Sequence, residues 1–196
     1  MSISKPSVQG VFLSAILCLL GLTLPASAAP FTDHFNGLIA DLNTRAIVLS
    51  SRTDKAGQKQ FKAVQNVLGT LNGKPSTSLA TDIEMFGGAA KALKRTFPDD
   101  FMPPVSSLSS NLDIALAGLT RDVQSQIDTA RTDLNSLAAS TCKTKVRATL
   151  DDAQLQLDGV NYAPNFASAA TLLGKALKTT AKASKSTVKC KSQSGG

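Results

Sequence analysis

Residues 108–137 read LSSNLDIALAGLTRDVQSQIDTARTDLNSL. From Leu108 through Leu112, Leu116, Leu119, Val123, Ile127, Ala130 and Leu134 to Leu137, apolar residues recur every three or four positions. That is the period of one face of an α-helix, and its length predicts one long amphipathic helix with a single seam. The phase breaks near Ala139-Ser140-Thr141, where the helix should end.

The same reading extends to both sides. Downstream, Cys142, Val146, Leu150, Ala153 and Leu157 share one helical face that ends at Asp158-Gly159. The turn GVNYAP (159–164) follows, and Asn165 is placed to cap a last helix opening at Phe166. Upstream, FPDDFMPP (97–104) carries three prolines that deny the backbone a continuing helix. Before it, a helix begins among Ser76, Thr77 and Ser78 and runs to the residue preceding Pro98. Another runs from about Ala56 to Leu71 and stops at Gly73, with Pro75 just beyond. A first helix spans about Thr32 to Leu49, where Phe35, Leu38, Ile39, Leu42, Ala46 and Ile47 recur at helical spacing.

These segments predict an all-α protein: a bundle of five to six antiparallel amphipathic helices. The composition agrees, with no Trp, one Tyr and a core that must be aliphatic. The hairpins over 63–94 and 149–178 share a plan: a helix ending in Asn-Gly or Asp-Gly, a proline-bearing turn, and a helix reaching KALK. Such a plan arises by duplication, or simply because helical hairpins share their punctuation.

The chain starts with one lysine, an apolar run from Val11 to Leu24, Pro25 and the small residues Ala26-Ser27-Ala28. This is the pattern of a secretory signal peptide over 1–28, cut near Ala28 or Ala29, and too short an apolar run to span a bilayer. The expected product is secreted or periplasmic: one helical domain over 29–190, then a flexible tail over 191–196. Cys18 leaves with the leader. The remaining pair, Cys142 and Cys190, is expected to form a structural disulfide in an oxidising compartment, the alternative being two unpaired buried thiols. The arms of the last hairpin are unequal in length if the chain turns at Asn161. The last helix is therefore expected to end near Ala183 to Ser186, with STVKC (186–190) folding back to the bridge and KSQSGG (191–196) loose.

Catalytic apparatus is sparse. The single histidine, His34, has only Asp33 beside it in sequence, a poor partner because adjacent helical residues point apart. It is read as a surface imidazole without a role. Asp99-Asp100, Asp151-Asp152 and Asp82/Glu84 read as solvated loop and cap residues, Thr81 and Glu84 having capping-box spacing. GTLNGKPS (69–76) is one residue too short for a phosphate loop and has proline where a magnesium-binding hydroxyl is required. No metal, cofactor or catalytic residue is expected. Gly87-Gly88, inside a helix, reads as a point of close approach by another helix.

Charge is placed asymmetrically. Residues 29–158 hold 14 basic and 14 acidic groups, whereas the stretch beyond Asp158 adds six lysines and no acid. Five of them, Lys175, Lys178, Lys182, Lys185 and Lys189, are spaced 3, 4, 3, 4 and so share one helical face. Two uses fit: a solvated face, or contact with an anionic polymer or cell-surface component. Arginines and interleaved aromatics are missing, so there is no specific nucleic-acid motif. The expectation is a non-enzymatic exported module that binds or serves structurally through this stripe. The alternative is a carrier holding an apolar small molecule inside the bundle.

Overall fold

The computed structural model describes residues 31–72 and 78–194. The leader, the Gly73–Pro75 stop and the capping candidates Ser76 and Thr77 lie outside the described residues. Within them the chain is all-α: six α-helices and three short 3₁₀ turns, with no strand among the described residues.

The first 3₁₀ turn, Phe31–Phe35, leads into α1 (Asn36–Ser50), followed by α2 (Lys55–Asn72) and α3 (Leu79–Thr96). A second turn, Pro98–Phe101, precedes the long α4 (Ser107–Asn135); α5 (Thr141–Asp158), a third turn (Gly159–Tyr162) and α6 (Phe166–Ser194) complete the chain. Side chains set these boundaries. Asp54 accepts from the Gly57 N–H at the start of α2, and Ser78, rather than the Thr81/Glu84 box, accepts from Thr81 N–H at the start of α3. Ser106, Ser140 and Asn165 do the same for α4, α5 and α6. Each cap satisfies one of the orphan donors of a first turn. At the other end of α4, Lys143 Nζ donates to the Asn135 and Leu137 carbonyls, placing a cation on the negative end of the helix.

Helix α6 is the common partner of α3, α4 and α5, while α1 packs on α2 and α4. The main core holds Phe35, Leu38, Phe86, Leu93, Leu112 and Leu119, among others, all withdrawn from solvent. The two longest helices, α4 and α6, reach past this core. Their far ends meet the first turns of α5 in a small second cluster of Ala130, Leu134, Val146, Leu150, Ala183 and Cys190. The seam read from sequence is close to the buried face of α4, with one shift: Ala115 is fully buried and Leu116 only partly.

The glycine pair divides. A Cβ on Gly87 would sit 3.0 Å from the Ala170 Cβ, so α3 and α6 do approach closely there. One on Gly88 would meet nothing within 4 Å, so that glycine serves no packing purpose visible in the fold.

The end of α6 departs from expectation. The helix does not stop at Ala183–Ser186; it runs unbroken through STVKC to Ser194, so Lys191–Ser194 form its last turn rather than a loose tail. The geometry of the turn explains this. From Cys142 to Asp158, α5 climbs about 24 Å at the α-helical rise, and the Gly159–Tyr162 turn adds about 8 Å because 3₁₀ geometry is more extended. The chain reverses at Pro164-Asn165, not at Asn161. From Phe166, α6 needs about 36 Å to reach Cys190, and the two arms then match without a fold-back. Cys142 and Cys190 come to disulfide distance, their Cα atoms 5.8 Å apart, inside the range such a bridge requires.

Candidate functional site

Since α6 is continuous, the lysine stripe is continuous as well. Lys175, Lys178, Lys182, Lys185 and Lys189 are all exposed. At 100° per residue they fall within about 80° of arc and span about 21 Å of helix. The opposite side of α6 is buried through Leu173, Ala176, Thr180, Ala183 and Thr187. Thr180 and Thr187 satisfy their hydroxyls on the Ala176 and Ala183 carbonyls at 2.8 and 3.1 Å, which lets them face the core. Among the described residues, none of the five lysines forms an ion pair.

The acidic pairs behave differently from one another. Asp151 and Asp152 are exposed, Asp151 3.5 Å from Arg131. Asp82 is not a solvated cap residue but fully buried in the first turn of α3. Asp100 is no free loop carboxylate either. Arg45 of α1 grips it with two hydrogen bonds of 2.8 and 3.2 Å, contacts Asp41 at 3.4 Å and lies 5.2 Å over the Phe97 ring. Partial burial works against the Arg45 charge, but Asp100 and Asp41 more than offset it and raise its pKa above the ordinary arginine value. This clamp fastens α1 to the turn before α4. No spacing rule connects positions 45 and 100, and only the fold brings them together.

His34 is likewise not a surface imidazole. Its Nε2 lies 2.7 Å from Asp122 Oδ2 on α4, and its ring occupies the notch left by Gly118, where a Cβ would come within 2.6 Å of the ring Cγ. The partner in space is 88 positions away, and Asp33 is not involved. The pair ties the first turn of the domain to α4. Gln124 and Gln154 form a similar tie between α4 and α5 by exchanging amide hydrogen bonds of 3.1 and 2.8 Å. Among the described residues no group of three or more His, Cys, Asp or Glu could hold a metal ion. No helix among them is long and apolar enough to cross a membrane.

A second feature lies at the other end of α6. The C-terminal turns of α3, the first half of α4, the turns at Phe101 and 160–165 and the start of α6 border an open cleft of about 770 Å³. Its floor is apolar. Phe166 meets Phe86 and Phe101 edge to face at 6.2 and 6.1 Å, and Leu116, the seam residue that α4 leaves partly uncovered, lies beside them. Its rim carries Lys91, Lys94 and Arg95, the last two in the final turn of α3, where they complement its negative end. No motif pointed to this cleft, because its residues come from three helices and from the turns before α4 and α6, far apart along the chain.

The chain matches no protein-family model, and neither a curated protein nor a solved structure is similar to it.

Proposed function

We propose that this protein is an exported, non-enzymatic binding module that contacts an anionic polymer through the lysine face of α6. The observation that carries the reading is the five-lysine face itself, exposed and without ion pairs among the described residues, on a helix whose other side is buried in the core. Lysines are compact point charges on flexible stems and suit a repeating anion such as a polyphosphate or polycarboxylate better than a shaped ligand. A helix fixed by its buried side presents them already in line, so little ordering is needed on binding. The carrier alternative finds little support in the bundle interior, which is occupied by side chains such as Phe86, Leu112 and Leu119.

The test is binding to immobilised polyphosphate as a function of salt. Five contacts to a flexible strand predict a slope of log K against log salt of about −3 to −4. The Lys178→Glu/Lys185→Glu variant should flatten that slope by about 1.5 or more. Equal retention of the variant, or no retention of the natural protein at low salt, would refute the reading.

A further inference from the structure

We infer that the cleft between α3, α4 and the start of α6 is a binding site for a small amphipathic organic anion, an acid group carried on an apolar body. Three independent features converge there. The first is size: about 770 Å³ is within the range of pockets that hold drug-sized ligands. The second is an apolar floor built by Phe101, Phe166 and Leu116, the last two drawn from different helices and each left only partly covered by the fold. The third is charge. Lys91, Lys94 and Arg95 are exposed on the rim and none is ion-paired among the described residues. Asp113 is the single carboxylate of the lining and is not engaged with any of them, so their charge is left for a ligand.

The start of α6 adds direction to that charge. Asn165 Oδ1 accepts from the Ser168 N–H at 2.9 Å, which leaves the N–H groups of Phe166 and Ala167 without an intrahelical partner. Both residues line the cleft, and a first helical turn favours negative charge. An acid group is therefore received between the first turn of α6 and the Lys94/Arg95 edge of α3. The attached body lies on Phe166, Phe101 and Leu116. An apolar molecule without the acid group forgoes both sets of donors, and inorganic phosphate forgoes the floor.

The site is tested by titrating the full chain with 1-anilinonaphthalene-8-sulfonate and displacing it with decanoate, decanol or inorganic phosphate. We expect one saturable site, displacement by decanoate, and at least about tenfold weaker displacement by decanol and by phosphate. Lys94→Ala/Arg95→Ala should weaken dye binding about tenfold. Ala167→Asp should weaken it as much. A carboxylate in the first turn favours the helix, so this variant keeps the fold while filling the place of the ligand's acid group, as an unchanged melting temperature will show. Lys178→Glu/Lys185→Glu should bind the dye normally, which separates failure here from failure of the polymer-binding face. Displacement by decanol as effective as by decanoate, dye binding untouched in both cleft variants, or no saturable site would overturn the inference.

Discussion

Reducing the Cys142–Cys190 pair should loosen the molecule at one end before it loosens elsewhere. The sequence separation of 48 corresponds to about 4 kcal/mol of unfolded-state freedom removed by the bridge in the chain-entropy treatment. For a domain of this size each kcal/mol moves the melting point by about 2–4 °C, so reduction should lower it by about 8–16 °C. The location follows from the packing. Beyond the main core, the far ends of α4 and α6 and the first turns of α5 share only the small cluster around Leu134, Val146, Leu150 and Ala183. With the bridge open, that tip should unfold on its own at lower free energy than the whole. The assays are thermal melting with and without reductant, and limited trypsin digestion, where cleavage after Lys185, Lys189 and Lys191 should accelerate on reduction. A Cys142→Ala/Cys190→Ala variant should behave as the reduced protein and ignore reductant. A shift below about 3 °C, with equal protease sensitivity of the two forms, would refute the reasoning.

Other outcomes follow from single contacts. Gly88→Ala should stabilise the protein by up to about 1 kcal/mol, since α3 gains helix propensity and the new Cβ meets nothing. Gly87→Leu should cost about 1–3 kcal/mol, because the added side chain must force α3 from α6 at Ala170; urea melts of the two variants compare them directly. Asp100→Ala should cost about 1–2 kcal/mol by opening the Arg45 clamp, and Arg45→Lys should not be silent, because lysine cannot reproduce the paired hydrogen bonds; urea melts measure both. Partial desolvation raises the pKa of Asp113, an otherwise exposed residue, so its ionised form is mildly disfavoured in the folded state. The native state is then favoured at low pH relative to the ionised condition, and that advantage is lost as pH rises through the folded pKa. Asp113→Asn should therefore raise the melting temperature at neutral pH and have little effect in acid, which a pH series of melts will show.

Helix periodicity and punctuation are local properties, and they were legible without the fold. The long α4, the end of α5 at Asp158, the Asn165 cap and the close approach at Gly87 all follow from spacing and from what capping residues and glycine do to a backbone. The five lysines could be assigned to one face for the same reason. The end of α6 could not be placed, since it depends on where the chain reverses, and a 3₁₀ turn moved that point from Asn161 to Pro164-Asn165. The partners of His34 and Arg45 were beyond reach too, being 88 and 55 positions away on other elements. The cleft is the extreme case: its residues look like ordinary helix and turn positions, and only the meeting of α3, α4, α6 and the two turns at Phe101 and 160–165 makes them an apolar floor with a cationic rim. Local sequence determines where helices form and which side is greasy, because those depend on backbone hydrogen bonds and a 3.6-residue period. Which charges pair, and where space is left open, was decided by packing, because side chains far apart along the chain become neighbours only when the helices close on one another.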